Sequence, residues 1–523
     1  MQRRQLLKGA TGCAFGMLGT SGELHARGWS ATPSRSPNIL FAIADDWSWP
    51  YASIAGQKAI QTPAFDRVAR EGCLFTNAFV SAPQCSPNRA SLLTGRYIWQ
   101  LEEAGTHGSI FPAKFTVFPD LLESAGYHVG YTGKAWGPGD WKAAGRKRNP
   151  VGPEFNQAKF ESVPADGIGR IDYAANFENF LGEREKGVPF SFWFGCQEPH
   201  RKYEEGSGAR AGKRIEDVVP PAFLPDDPIV RNDLLDYFIE IEWFDSQLGK
   251  MLKRLEAMGE LDNTLVVVTS DNGMPFPRAK ANLYDAGTHV PLAMRWPAAF
   301  KPGEKRDSPG SFVDLAPTFL AAAGLDPSND CGMEGRSLLD SQTPPKRHLE
   351  GLGEYVLMGR ERHSHARFDN LGYPARAIRT ASDLFISNLK EDRWPAGDPE
   401  GYHDIDDSPT KRLLVGNKDK QATLFELACG KRPRAELYDL ASDPECLKNL
   451  AEDPKHADLR HTLSMTLNNA LELQGDPRTS GRGEIFDSYP RMGVTRPELG
   501  GFSEQGAYNP KYWPGDASTV PRL

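Results

Sequence analysis

The run CSPNRASLLTGR, from Cys85 to Arg96, combines residue types that could do chemistry on an anion. Pro87 suits the first turn of a helix, where its missing N–H costs nothing, and Gly95 suits the helix end. Cys85 is therefore expected at a helix N-terminus, where free N–H groups and the helix dipole favour an anion. Arg89, four residues on, would add a fixed cation on the same face. The run predicts a reactive side chain beside an anion site; the alternative is a buried structural cysteine.

Two pairs of oxygen-bearing side chains follow predicted strands. The pairs are Asp45 with Asp46, after the apolar run 38–44, and Asp271 with Asn272, after the run 264–269. Ligands in open α/β sheets bind beyond the carboxyl ends of the strands, so we expect the two pairs to converge. Three carboxylates and an amide oxygen suit calcium or magnesium better than zinc, and a crowded site made of protein atoms favours calcium. Either pair alone is also typical of an ordinary turn or cap.

These residues resemble the signature of the type I, formylglycine-dependent sulfatases. The family pattern Cys-x-Pro-x-Arg, followed by Thr-Gly-Arg, is matched by Cys85, Pro87, Arg89, Thr94, Gly95 and Arg96. An Asp pair after the first strand and an Asp-Asn-Gly after a later strand occur in the family's order. The resemblance implies that a formylglycine-generating enzyme oxidises Cys85. It also implies one bound calcium ion per chain, held by residue 85 with Asp45, Asp46, Asp271 and Asn272.

Three further motifs resemble family elements that bind sulfate. Gly133-Lys134 and Glu198-Pro199-His200 each follow a predicted strand, and Lys280 precedes a run that ends in Thr288-His289-Val290-Pro291. Taken singly, a Lys or His is more often a surface or core residue. The resemblance implies a catalytic set of Cys85, Arg89, Lys134, His200 and Lys280.

One position departs from the family pattern. Trp136 stands where the family has a His two residues after the Lys of Gly-Lys-x-His. In the family that His contacts a formylglycine hydroxyl, and an indole is a donor only and cannot take a proton. Either another His, such as His107 or His363, takes the position in space, or turnover proceeds differently. The candidate substrate-binding residues are His107, Trp136, Glu361, His363 and Arg376; surface salt bridging would explain the last three equally well.

Two later runs are most similar to the heparan N-sulfatase (N-sulfoglucosamine sulfohydrolase) branch. They are DNGMPFP at 271–277, followed by Asn-Leu-Tyr, and GYPAR at 372–376. The implied reaction releases sulfate from a sulfated saccharide: a formylglycine hydroxyl, activated by calcium and Asp271, attacks sulfur. His200 or Lys280 then protonates the departing atom, and the second hydroxyl expels sulfate.

Three alternative functions remain open on the sequence. The first is an O-sulfatase of another sulfated polysaccharide, and the second is a phosphoester or phosphonate hydrolase of the same architecture, for which zinc and a His-rich ligand set would be typical. The third is an inactive protein that binds sulfated glycans, with Trp136 as the mark of lost catalysis.

The elements that must position these residues alternate between strands and helices. Strand-length apolar runs occur at 38–44, 128–132, 190–195, 264–269 and 291–296, with a long helix predicted over 231–258. Such alternation is the signature of a mostly parallel sheet covered on both faces. Together with the resemblance it predicts an α/β, alkaline-phosphatase-like catalytic domain over 36–345.

A smaller C-terminal α+β domain is predicted over 346–523. Short segments at 354–358, 375–380 and 384–389 suggest an antiparallel sheet, and 456–473 suggests a helix. The stretches 391–420 and 475–523, rich in Gly, Pro and charge, are predicted to be long loops or a tail.

Composition narrows the functional class. The chain has 523 residues, of which 39% are hydrophobic and 25% charged, as in a globular protein with a large core. A net charge of -8 argues against nucleic acid as a partner, although an acidic protein can still hold a locally basic anion site. No stretch is long and apolar enough for a membrane span, so an integral membrane protein is not expected.

The N-terminus suggests export. Residues 1–30 begin MQRRQLLK and continue with small and apolar residues, a pattern similar to a twin-arginine signal, so we expect the twin-arginine machinery as a partner and a periplasmic or extracellular location. Lipoprotein anchoring at Cys13 is the disfavoured alternative. Without Cys13 and Cys85, five cysteines remain, an odd number that predicts at least one free thiol, and Cys429 and Cys446 could form a bridge.

Overall fold

The run that ends in the Asp pair is a fully buried strand, Asn38–Ala44, in this computed structural model. The structure describes residues 36–326, 332–339, 347–399 and 401–500. From Ile39 to Ala44 the strand is apolar, because helices cover both faces of the sheet around it. The candidate signal at 1–30 and Cys13 lie outside the described residues.

The strands of the described residues are β1 (Asn38–Ala44), β2 (Cys73–Phe75), β3 (Ala78–Phe79), β4 (Ser109–Ile110), β5 (His128–Gly133), β6 (Gly139–Asp140), β7 (Phe190–Gly195), β8 (Thr264–Ser270), β9 (Leu292–Arg295), β10 (Glu304–Arg306), β11 (Gly310–Ser311), β12 (His348–Leu349), β13 (Gly353–Glu354), β14 (Val356–Arg360), β15 (Ala375–Arg379), β16 (Asp383–Asn388) and β17 (Ala435–Asp439). The helices are α1 (Pro63–Glu71), α2 (Cys85–Thr94), α3 (Phe118–Ser124), α4 (Tyr173–Glu183), α5 (Ser207–Arg210), α6 (Pro228–Ala257), α7 (Asp285–Thr288), α8 (Leu315–Ala322), α9 (Pro409–Gly416), α10 (Ala422–Cys429), α11 (Ala457–Leu473) and α12 (Ile485–Ser488).

The central sheet has seven strands in the order β10-β2-β9-β8-β1-β7-β5. β1 pairs in parallel with β7 and β8, and β7 pairs in parallel with β5. In the β1–β8 register Ala44 lies opposite Ser270, so Asp45 and Asp271 leave the sheet side by side. The predicted convergence of the two oxygen-bearing pairs therefore follows directly from strand register.

Alternate residues of the central strands build two separate cores. Leu40 and Val266 pack on one face against the long helix α6, through residues such as Ile241. Ile39 and Val267 pack on the other face, against a group of side chains that includes Leu92 of α2. Because both sides are filled, the site is carried by a sheet that cannot shift toward either layer without opening a cavity.

A second sheet of four antiparallel strands follows, in the order β14-β15-β16-β17. Leu357, Ile378 and Phe385 on one of its faces join a core with Leu463 and Leu467 of α11. The predicted fold class, a mostly parallel sheet between helices with a separate antiparallel sheet, is confirmed. The boundary predicted near residue 345 stays a prediction, because 340–346 lie outside the described residues.

Two details of the fold differ from the prediction, and a third concerns membrane-spanning helices. The stretch 391–420, predicted to be a loop, contains helix α9, begun by Ser408, whose side chain accepts a hydrogen bond from the Lys411 N–H. Cys429 and Cys446 are both buried free thiols, so the bridge between them does not form. Across the described ranges, no helix combines the length and the apolar character needed to cross a bilayer.

Candidate functional site

Cys85 is the first residue of α2, as the sequence predicts, and Gly95 ends that helix in the left-handed region. Its thiol is 1% exposed and lies 3.3 Å from Asp45 Oδ1, to which it donates. Burial, reinforced by the neighbouring Asp45 carboxylate, raises the pKa of the Cys85 thiol well above its usual range. The thiol is therefore protonated and a poor nucleophile, despite its place at a helix N-terminus.

The predicted oxygen-bearing side chains meet around this thiol. Ligand atoms of Asp45, Asp46, Cys85 and Asp271 all lie within 4.8 Å of one another, and all four residues are buried. Asn272 donates through Nδ2 to Asp46 Oδ1 at 2.6 Å, whereas its carbonyl Oδ1 is buried with no partner among the described residues. An orphaned buried acceptor beside three carboxylates is the signature of a hard-cation site, so these residues fit a calcium ion.

Burial and neighbouring charges shift the pKa values of Asp45 and Asp271 in opposite directions. Burial alone would raise the pKa of Asp45, but the charges of Lys134 and His200, with others, hold it well below its usual range. Burial together with the Asp45 charge raises the pKa of Asp271 to about 6. Asp46 has a φ of 81°, a strained conformation for a residue with a side chain, at a cost of about 1–3 kcal/mol. Such strain is typical of functional sites.

Arg89 approaches the acidic cluster from α2 and is completely buried. Its Nε donates to Asp271 Oδ2 at 2.7 Å, and its Nη1 donates to the carbonyls of Lys134 and Ala135 at 2.9 and 3.1 Å. Its Nη2 has no partner among the described residues. The guanidinium is thus fixed on one side and keeps a free buried donor on the other, which suits an anion.

Two lysines reach the same cluster from the segments that follow different strands. Lys134, at the end of β5, pairs with Asp45, and Lys280, in the loop after β8, pairs with Asp46 Oδ2 at 2.7 Å. Burial lowers the pKa of a lysine, but the facing carboxylates outweigh it and raise the pKa of both side chains. Both are therefore charged.

His200 completes the predicted set. One of its nitrogens lies within 4.8 Å of the Cys85 sulfur and an Asp45 oxygen. Its Nδ1 is 2.7 Å from the carbonyl of Arg201 and donates to it, which leaves Nε2 for another partner. The structure thus brings together every predicted metal-binding and catalytic residue.

The predicted saccharide-binding residues divide into two groups. Glu361 and Arg376 are 0% and 1% exposed and form an ion pair at 2.7 Å, inside a network with Arg478 and Asp476. Trp136 is 3% exposed and donates to the carbonyl of Ser86 at 3.1 Å. The charges of Glu361 and Arg376 are thus balanced within the protein, and the Trp136 N–H is bonded to the backbone, so a role of these three residues in saccharide binding stays a prediction.

His107 and His363 do lie beside the site, with ring centroids 4.5 Å apart. His363 Nδ1 is 3.2 Å from Asp404 Oδ1. Asp406, two residues further on, lies 3.4 Å from Lys280 Nζ and retains 30% side-chain exposure. Sequence reasoning missed both aspartates because they stand in the stretch predicted to be a loop; the only signal was the acidic run at 404–407.

Comparison with known proteins agrees with this geometry. The Sulfatase family model matches residues 37–325, more than half of the chain. Human N-sulphoglucosamine sulphohydrolase is 30% identical over 490 residues, covering 82% of this chain and 89% of its own, and an ulvan-active sulfatase of Formosa agariphila is 26% identical over 526 residues, covering 91% and 82%. A protein solved in complex with its substrate D-glucosamine-2-N,6-O-disulfate shares the fold, with a TM-score of 0.60, 21% identity and coverage of 84% and 99%. The chain therefore belongs to the sulfatase family and is a hydrolase of sulfate esters or sulfamates.

Proposed function

We propose that this chain is an N-sulfoglucosamine sulfohydrolase that works through a formylglycine made from Cys85 and a bound calcium ion. The observation that carries the proposal is the convergence on Cys85 of three cations, Arg89, Lys134 and Lys280, and three carboxylates, Asp45, Asp46 and Asp271. Conversion of Cys85 is supported by its place in the Cys-x-Pro-x-Arg run within the matched Sulfatase region.

Calcium would be held by Asp45, Asp46, Asp271, Asn272 and residue 85, and when bound it supplies positive charge next to the sulfate oxygens. Formylglycine supplies, as its hydrate, the hydroxyl that bonds to sulfur. The chain's own side chains bind the sulfate group and stabilise the charge on it. Arg89 directs its free Nη2 at the sulfate, and Lys134 and Lys280 stabilise the charge that develops on its oxygens.

His200 and Lys280 are the proton donors to the leaving group in this proposal. His200 turns Nε2 away from the Arg201 carbonyl, and Lys280 carries a proton in a buried ion pair. Either can donate a proton to the departing nitrogen or oxygen. Asp406, 3.4 Å from Lys280, helps to keep that side chain protonated.

The choice of an N-sulfated sugar is supported by the similarity to the human sulphohydrolase. An O-sulfatase acting on a polysaccharide is the second candidate, favoured by the 26% identity to the ulvan-active sulfatase. Maturation by a formylglycine-generating enzyme, export through the twin-arginine machinery and a periplasmic or extracellular location complete the proposal.

Release of sulfate from a matched set of saccharides tests the function. Glucosamine N-sulfate, glucosamine 6-O-sulfate and the doubly sulfated sugar are compared with purified enzyme, beside Cys85→Ser as the matched inactive variant. We expect loss of N-sulfate alone. Loss of O-sulfate alone would replace the N-sulfatase by the O-sulfatase, and active enzyme whose residue 85 has the mass of an unmodified thiol would refute the formylglycine.

A further inference from the structure

A small buried cavity lies against the antiparallel sheet, and none of its lining residues belongs to the acidic cluster around Cys85. Arg360 of β14 lies opposite Ala375 of β15, and Ala375 lies opposite Asn388 of β16. Residues directly opposite one another in antiparallel strands share a face of the sheet, so strand register gathers these three side chains along the cavity. The cavity has a volume of about 10 Å³, which is room for one water-sized group.

Three buried hydrogen-bond donors without partners belong to side chains that line this cavity. Arg360 Nε, Arg432 Nε and Tyr373 Oη have no hydrogen-bond partner among the described residues. The Arg360 guanidinium lies 5.0 Å from the centre of the Tyr373 ring. Burial raises the pKa of the Tyr373 hydroxyl against the opposing charges of Arg360 and Arg432, so the hydroxyl keeps its proton. Because buried donors are almost always paired in native proteins, the cavity should hold a group that accepts hydrogen bonds.

The acceptors of the lining side chains are already bonded. Glu436 lines the cavity too, but its Oε1 accepts from Asn388 at 2.7 Å, and its Oε2 accepts from Tyr284 and Tyr438 at 2.7 and 2.6 Å. Within the described ranges, no buried side-chain acceptor that lines the cavity lacks a partner. A water molecule would bring two protons that need acceptors of their own. An anion only accepts, so it suits a set of three donors better.

The charges around the cavity also favour an anion. Arg360 shares the carboxylate of Asp404 with Arg367, at 2.9 and 2.6 Å. Arg432 donates to two backbone carbonyls of α10, at 3.1 and 2.5 Å, and forms no ion pair with the described part of the chain. Three guanidinium groups therefore face two carboxylates, those of Asp404 and Glu436. Burial, with the charge of Arg367, lowers the pKa of Arg360 to about 10 despite the contact with Asp404, as expected where positive charge is in excess.

We propose that this cavity binds one monatomic anion, a halide such as chloride, through Arg360, Tyr373 and Arg432. The site is separate from the sulfate-binding residues, and it does not depend on the proposed function. Sulfate and phosphate, each with four oxygens around a central atom, are too large for a space of one water-sized group. A halide accepts hydrogen bonds from several sides, and its single negative charge balances the one positive charge in excess.

Diffraction with bromide tests the site directly. Bromide takes the place of chloride and scatters X-rays anomalously, so crystals of the full chain soaked in sodium bromide should show an anomalous peak in the cavity. The peak should contact Arg360 Nε, Tyr373 Oη and Arg432 Nε. A water molecule in the cavity of bromide-soaked crystals, with anomalous peaks only at the protein surface, would overturn the proposal.

Thermal unfolding shows whether the anion binds in solution. Sodium chloride is exchanged for sodium gluconate at constant ionic strength and constant calcium, since gluconate is too large for the cavity. We expect the Tm to rise by about 2–3 °C when chloride reaches about 100 times its Kd. An equal Tm in the two salts at every concentration would mean that a bromide seen in crystals is an adventitious ion only, and the site would be refuted.

Two variants assign the chloride response to the cavity. Tyr373→Phe removes one donor and keeps the ring, and Arg432→Gln removes one positive charge; both should lose most of the difference in Tm between the salts. Arg434→Gln, at an exposed neighbour of Arg432, is the matched control and should keep it. Loss of the Arg432 contacts with α10 lowers the Tm in both salts alike, so it does not imitate the effect. Tyr373→Phe changes no charge and serves alone if Arg432→Gln does not fold. A full chloride response in Tyr373→Phe and in any folded Arg432→Gln would place the anion elsewhere and overturn the proposal.

Discussion

Charge at the site is balanced residue by residue. Arg89 faces Asp271, Lys134 faces Asp45 and Lys280 faces Asp46, each pair in direct contact. Three cations thus neutralise three carboxylates in a buried space, where an unpaired charge would be expensive. A divalent cation and an anionic sulfate group can enter together with little change in net charge, which explains how so many ionised side chains are tolerated around one thiol.

Replacing Arg89 by Lys tests this arrangement. A lysine has one donor centre and cannot bond Asp271 and two carbonyls while directing another donor at an anion. We expect Arg89→Lys to lower kcat/KM for sulfate release by about 10²–10³-fold. Arg70→Lys, at a 67% exposed side chain paired with Asp66, is the control and should leave activity unchanged. Full activity in Arg89→Lys would show that charge alone suffices.

At the scale of elements, local pattern predicted the strands better than the loops. β1 and β7 begin and end where their apolar runs do, and α2 begins at Cys85 because Pro87 and Gly95 act locally. The contact of Asp404 with His363 has no such signal, since it joins residues 41 positions apart in sequence through tertiary packing. The motif residues of the site were therefore predictable, whereas the surrounding acid and histidine groups were not.

The buried network around Glu361 also ties elements together. Glu361, just after β14, accepts from Arg376 of β15 and from Arg478, and Arg376 also pairs with Asp476 beyond α11. Glu361→Gln would remove the negative charge that two buried guanidinium groups share. We therefore expect the free energy of unfolding to fall by about 3–5 kcal/mol. Urea unfolding measures the loss, and KM for the saccharide should stay unchanged. Glu354→Gln, at the less buried pair with Arg336, is the control. A raised KM with unchanged stability would instead assign Glu361 to substrate binding.

Across the whole molecule, the site lies where the carboxyl ends of β1 and β8 meet the first turn of α2. The two cores fix the strands from both faces, and Asn88 of α2 donates to the carbonyl of Asp271 at 2.6 Å, which locks the helix to the end of β8. The protein carries a net charge of -8, yet its site places cations where an anion must bind. Net charge thus gives no guide to the charge of the substrate, whereas the cations gathered at the strand ends do.

Because the acidic cluster joins β1, β8 and α2, calcium bound there should stabilise the whole fold. A ligand that binds only the folded state adds about 2.7 kcal/mol at 100 times its Kd. We expect the Tm to rise by a few degrees as calcium is added to chelator-treated protein, since three buried carboxylates and the orphaned Asn272 Oδ1 gain a partner. Asp271→Asn should lose most of this response, whereas Asp419→Asn, an exposed aspartate outside the cluster, should keep it. An equal Tm with chelator and with calcium in the wild-type protein would mean that the ion pairs to Arg89, Lys134 and Lys280 already satisfy the cluster, and the cation site would have to be abandoned.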